Sequence, residues 1–349
     1  MKLSLKKFAT CFTVGAVALG AAACSGSPSN SAKGSDEITV VCGAMEDLCQ
    51  AWTQKFTKET GIAAKFVRLS SGETVARLDA AKADPEFDVW HGGPVDGYGV
   101  AADKGLIEAY ASPTAAQIPD KYKDAKHNWT GVYVGVLGFC SNQKVLDSLG
   151  VKVPESWADL LNPKLKKQIS TAHPSTSGTA FTTLWTQTVL GGSEDKGLGY
   201  MKQLNDNVLQ YSKSGTAPGQ IAGRGEVAVG LVFSHDCVKY RDQGMKDLVI
   251  SFPKEGTGYE IGGVGLVANS KHKEAAKKYI DWAISADAQN IGQTVGSNQV
   301  PTNPKAKISD KMVDLSSVKL IDYDFVKAAA AKPELTARFD EEIASKPSK

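Results

Sequence analysis

Residues 230–238 read GLVFSHDCV. An apolar run, Leu231-Val232-Phe233, stops abruptly at Ser234, His235, Asp236 and Cys237, four side chains able to do chemistry. A catalytic relay is the weakest use for them. Adjacent residues on a strand project to opposite faces, so Ser234, His235 and Asp236 cannot act in line. The chain also lacks the G-x-S-x-G elbow that would present a distant serine. A metal site built from His91, His235, Asp236 and Glu260 suits a divalent ion better than Fe(III). Hydrogen bonding fits best. A carboxylate acceptor beside an imidazole that donates or accepts is a reader of hydroxyl groups. The expectation is a binding protein without enzymatic activity, resident metal or cofactor.

Three further stretches favour anions. HPSTSGT (173–179) sets Ser177, Gly178 and Thr179 ahead of a helical pattern. SSGE (70–73) does the same with Ser70 and Ser71, and SKSGT (212–216) with Ser214. Free amides and the positive end of the helix dipole make such positions receptive to oxyanions, and glycine lets the backbone come close. The plainer use of each is an N-cap. In HGG (91–93), His91 has ligand contact and a core or turn position as equal alternatives. Glu255 and Glu260 flank GTGY; a carboxylate there would accept bonds from neighbouring hydroxyls, and one of the two is expected at the ligand.

Strands alternate with helices along the chain. EITVVC (37–42), AKFVRL (64–69), EFDVWHGG (86–93), GVYVGVLGFCSN (131–142), GEVAVGLVF (225–233) and EIGGVGLVAN (260–269) read as strands. Phe181, Leu184, Trp185, Thr188 and Val189 keep helical spacing, as do Ala276, Tyr279, Ile280, Ala283 and Ile284. The pattern is α/β with a largely parallel sheet. The Gly-rich segments 131–142 and 260–269 bracket a middle region with its own βα units. That predicts two lobes, with a ligand cleft crossed by hinge strands.

The N-terminus predicts export. Lys2, Lys6 and Lys7 precede an apolar stretch to Ala23, the layout of a signal peptide (1–23). Ala21-Ala22-Ala23 before Cys24 suggests lipidation of Cys24, with ordinary A-x-A cleavage as the alternative. Residues 24–37 read as a flexible tether. Without the leader the formal charge falls from +2 to −1, which is no basic footprint for nucleic acid. Cys42, Cys49, Cys140 and Cys237 remain, an even set suited to an oxidising compartment. Three pairings exist. Local closure favours Cys42–Cys49, which leaves Cys140–Cys237.

FTKETGI, SSGE, FDVWHGG, PESWADLLNPKLKKQI, HPSTSGTAF, SKSGTAPGQIAGRGEVAVG, PKEGTGYEIGGVGLVANS and AAKKYIDWAISADAQ occur in this order between residues 56 and 289. Together they resemble the bacterial extracellular solute-binding proteins of ABC importers, in the group that includes ferric-iron-binding proteins. SHD followed by PKEGTGYEIGG looks closest to sugar-phosphate-binding relatives. The resemblance implies a type II periplasmic-binding-protein fold. Its lobe 1 would comprise 38–139 and 263–325, its lobe 2 140–262, and a C-terminal helix and tail 326–349. It implies a small anionic solute, a sugar phosphate or organic phosphate, handed to permease subunits by a monomer whose membrane contact is a lipid anchor. The loops matching Ser177-Gly178-Thr179 and Ser214 hold an anion in iron-binding relatives. His235 and Asp236 stand where those relatives carry adjacent tyrosines. This chain has no Tyr-Tyr pair, so ferric iron becomes the alternative and a phosphorylated solute the leading expectation.

Overall fold

The computed structural model describes residues 37–344. The expected signal peptide (1–23), Cys24 and nearly all of the tether (24–37) lie outside the described residues. Among the described residues, no helix is long and apolar enough to cross a membrane.

One half begins with three parallel strands, β1 (Glu37–Cys42), β2 (Ala63–Arg68) and β3 (Val89–Pro94), with β1 in the middle. Each leads into a helix: α1 (Glu46–Thr60), α2 (Ser71–Ala80) and α3 (Val95–Asp103). β4 (Ile107–Glu108) is a short edge piece. The long strand β5 (Thr130–Asn142) is buried along its whole length. After it come α4 (Gln143–Leu149), β6 (Ile169–Ala172), α5 (Gly178–Gly191), α6 (Glu194–Asn205), β7 (Val208–Ser212), α7 (Ala217–Gly223), β8 (Val229–Phe233), α8 (Ser234–Asp242) and β9 (Leu248–Ser251). β6 lies between β7 and β8, parallel to both. β10 (Tyr259–Val267) then returns to the first half, followed by α9 (Lys273–Ala283), α10 (Ala286–Gln289), α11 (Ile291–Thr294), β11 (Val300–Pro301) and α12 (Phe325–Glu342).

The strand order is β2-β1-β3-β10-β5-β8-β6-β7. β5 joins the halves. Its first part pairs antiparallel with β10 and its second part with β8 and β9. Each half has its own core. One gathers Ile38, Val40, Trp52, Phe56 and Tyr279; the other gathers Phe139, Trp157, Leu160, Phe181 and Leu231. The Gly-rich segments at 131–142 and 260–269 are thus neighbouring central strands paired antiparallel, and the sheet is mixed rather than the largely parallel one that the alternation of strands and helices predicts.

Two local expectations change. Residues 154–169 form short 3₁₀ turns at Ala158–Leu161 and Pro163–Leu165, since Asn162-Pro163 stops a longer helix. Ser234 and the residues after it are helical: β8 ends at Phe233, and Ser234 is the first residue of α8. The strand argument against a relay at Ser234, His235 and Asp236 therefore does not apply. On a helix, neighbouring residues still point about 100° apart.

Candidate functional site

Two sets of three parallel strands end on the same cavity. In one half, β1, β2 and β3 deliver Gly43 to Met45, Arg68 to Ser71, and Gly93-Pro94; in the other, β6, β7 and β8 deliver Ser177 to Thr179, Gly215-Thr216, and Phe233 to Asp236. Carboxyl ends of parallel strands are where open α/β sheets place ligands, because the following helices present their N-termini there.

Of the residues singled out in the sequence, Ser70, Ser71, Ser177, Gly178, Thr179, His235, Asp236 and Glu260 all line this cavity. The N-cap alternative holds alongside. The Ser70 amide donates to Glu73 Oε2 (3.1 Å), and Ser177 Oγ accepts from the Ala180 amide (3.3 Å). Ser214 stands at the adjoining vestibule rather than in the cavity wall. His91 lies behind the wall, stacked on Trp52 at 3.8 Å with Nδ1 3.0 Å from the Tyr279 hydroxyl. Burial pushes its imidazole down to about 3, so it is a neutral core residue. Gly92 and Gly93 adopt φ of 83° and 82°, a turn that other residues rarely make. Through it the Gly93 amide donates to the Tyr133 hydroxyl (2.9 Å). Of the two glutamates, Glu260 faces the cavity and Glu255 lies outside it with Oε2 buried and unbonded.

Sequence reasoning passed over Arg68, Tyr133 and Gln299, which also line the cavity. Arg68 carried a signal, as the last residue of a parallel strand. Its guanidinium donates to the Ala44 carbonyl (3.2 Å), to Ser70 Oγ (3.3 Å) and to Ser214 Oγ (3.1 Å). The last bond crosses from one half to the other. Tyr133 sits inside a strand that reads as uniformly buried. Gln299 arrives from a remote loop and had no sequence signal.

The cavity has two chemically distinct regions. One is hydroxyls, amides and the Arg68 guanidinium, grouped at the N-termini of α2 and α5. The other is His235, Asp236 and Glu260. Their pKa values are shifted chiefly by burial. His235 is pushed down to about 3, with Lys239 adding to the effect. Asp236 is pushed up to about 7, partly offset by Arg68 and Lys239. Glu260 is raised well above the carboxylate range, reinforced by the negative charges of Asp236 and Asp96. Gly135 makes room for this group: a methyl there would stand 2.7 Å from Glu260 Oε1 and 2.8 Å from His235 Cε1. Cys140 on β5 and Cys237 on α8 form a disulfide, and so do Cys42 and Cys49, as local closure predicts. The first of these fixes α8, and with it His235 and Asp236, to the central strand.

A family model described as bacterial extracellular solute-binding protein matches residues 96–329. A Haemophilus influenzae protein of no assigned function is 38% identical over 311 residues, 87% of this chain and 89% of its own length. The solved structure of the periplasmic binding protein AfuA from Actinobacillus pleuropneumoniae, with exogenous fructose-6-phosphate bound, superposes with a TM-score of 0.86 at 38% identity, covering 88% of this chain and 99% of that one. A Fe(3+)-binding periplasmic protein of Serratia marcescens is 24% identical over 308 residues, 86% of this chain and 88% of its own length. With a cleft ringed by strand ends and two halves joined through β5, this chain belongs to the bacterial extracellular solute-binding proteins, with the two-lobed type II periplasmic-binding-protein fold.

Proposed function

We propose that this chain captures a small phosphorylated solute, a hexose phosphate foremost, outside the membrane and hands it to the permease of an ABC importer. One observation carries the reading: a single cavity pairs an anion-receptive end with a hydroxyl-reading end. Ser70, Ser71, Ser177, Gly178 and Thr179 sit with Arg68 where helix N-termini converge, which suits a phosphate. His235, Asp236 and Glu260 offer acceptors and donors to the rest of the molecule. The likeness to AfuA supports the same chemistry.

Ferric iron fits this cavity poorly. Burial holds the Tyr133 phenol well above its ordinary value, and it already accepts from the Gly93 amide. Tyr240 donates its hydroxyl to the Thr216 carbonyl (3.0 Å). Neither presents a ready phenolate. The two disulfides support an oxidising, extracytoplasmic location, and we assign the membrane link to a lipid on Cys24. We place the lobes at 38–139 with 263–325 and at 140–262, supported by the two separate cores, and read the protein as a monomeric binder that returns its ligand unchanged.

Isothermal titration calorimetry with glucose 6-phosphate, fructose 6-phosphate, inorganic phosphate and Fe(III)–citrate tests the function. Hexose phosphates should bind more tightly than phosphate alone. Binding of iron with no response to any hexose phosphate would refute it.

A further inference from the structure

The vestibule beside the cavity carries a cation on each of its walls. It shares Met45, Arg68 and Thr216 with the cavity lining, so a solute crossing it arrives at the anion-receptive end. Arg68 stands at the end of β2 in one half. Lys239 stands on α8 in the other half, its side chain 4% exposed. Each reaches across the cleft for a partner. Arg68 donates to Ser214 Oγ (3.1 Å), and the Lys239 ammonium is paired with Asp47 in the first turn of α1. The Asp47 side chain is 45% exposed, so the pair lies at the edge of the cleft. Lys239 is also felt inside the cavity, where its charge and that of Arg68 favour the ionised form of Asp236. When the halves part, Asp47 leaves with α1 and Lys239 stays with α8. A phosphate at the mouth offers that ammonium the charge and the acceptors it has lost.

We propose that Lys239 captures the solute's phosphate at the mouth of the cleft, and that Asp47 replaces the phosphate on Lys239 once the solute has moved inward, latching the halves together. This rests on the phosphate reading above and adds the way the solute enters. In the open cleft, Lys239 and Arg68 meet the phosphate from opposite walls. In the closed one, Arg68 stays with the serines around the phosphate, and Lys239 has exchanged it for a carboxylate. Neither cation is left without an anion at either stage. A cation at the rim acts on the association rate and its salt dependence. An ion pair across the mouth acts on the dissociation rate.

Stopped-flow measurement of glucose 6-phosphate binding to the full mature chain separates the two rates. Lys239→Met should lower kon about threefold or more at about 0.01 M salt, and the difference should fade near about 1 M, where the screening length is about 3 Å. Lys311→Met is the control. It removes the same charge from another ion pair onto α8, Lys311 with Asp242 (2.6 Å), which lies outside the vestibule. Its kon should stay within about twofold of wild type. Asp47→Asn leaves Lys239 free for phosphate and removes the latch, so kon should hold or rise while koff rises about threefold or more. A lesion that merely loosened the site would lower kon. Equal losses of kon in Lys239→Met and Lys311→Met overturn the capture role, and an unchanged koff in Asp47→Asn overturns the latch. Asp47→Asn, at a half-exposed position, decides by itself where Lys239→Met does not fold: a fall in kon overturns the proposal. If glucose 6-phosphate, fructose 6-phosphate and inorganic phosphate all fail to bind the wild type, the phosphate reading itself is overturned, a result distinct from normal binding with unaltered rates in the variants.

Discussion

Gly72 offers the sharpest test of cleft closure. It is the second residue of α2 in one half, and its amide donates to the Thr176 carbonyl of the other half at 2.9 Å. A methyl at Gly72 would stand 2.9 Å from Thr176 Cα, and closer still to the Ser175 carbonyl oxygen. Ordinary contact begins near 3.4 Å, and the Ser175 carbonyl oxygen stands only 2.1 Å away, so the halves must part by about 1 Å or more. Both obstacles are backbone, which has no rotamer to yield. Parting weakens the Gly72–Thr176 bond, about 1 kcal/mol, and overpacking adds about 1–3 kcal/mol. Gly72→Ala should thus weaken solute binding by about 2–4 kcal/mol, roughly 30- to 1,000-fold in Kd. Parting of the halves relieves the clash, and alanine favours the helix. Calorimetry with glucose 6-phosphate should show the loss, while thermal denaturation of the solute-free protein moves little. Gly199→Ala is the control, since nothing lies within 4 Å of a methyl in the interior of α6. It should leave affinity unchanged and add about 0.5–1 kcal/mol of stability. Unaltered affinity in Gly72→Ala would refute the closure argument, and a large loss of solute-free stability would relocate the effect to folding.

Replacing Cys140 and Cys237 together by serine opens a loop with a sequence separation of 97 and should cost about 3–5 kcal/mol in denaturant unfolding, with weaker solute binding as α8 loosens. Asp236 has a folded-state pKa raised from 3.8 to about 7. Between these values the folded state holds the extra proton, so solute-free stability should fall as pH rises and level off above about 7. Urea titrations across pH should show this slope flattened in Asp236→Asn; an unchanged slope would assign it to other groups. Lys332 on α12 pairs with the fully buried Asp96 on α3 and lies over the Phe181 ring of α5 at 4.5 Å. Lys332→Met strands the carboxylate and should cost about 3–5 kcal/mol; adding Asp96→Asn should recover part of it, and equal stability of single and double variants would refute the pairing.

What the sequence alone determined is local. Apolar runs bounded by glycine mark β5 and β10, and helical spacing marks α5 and α9, because burial imposes periods of 2 and 3.6 on any chain. Ser70, Ser177 and Gly178 were visible because hydroxyls and glycine at a helix start serve both as caps and as anion contacts. His235 and Asp236 stood out as polar residues ending an apolar strand. Other features needed the tertiary structure. Which of Glu255 and Glu260 meets the cavity depends on β10 pairing with β5, which sets Glu260 opposite Gly135. His91 looked as eligible as His235, yet the fold stacks it on Trp52. Arg68 and Gln299 reach the cavity from segments more than 200 residues apart, and their meeting depends on how the sheet is assembled. The raised pKa values of Asp236 and Glu260 are likewise invisible in sequence, since they arise from burial. A site between two halves is made of distances across the chain, and those are set by packing rather than by any local pattern.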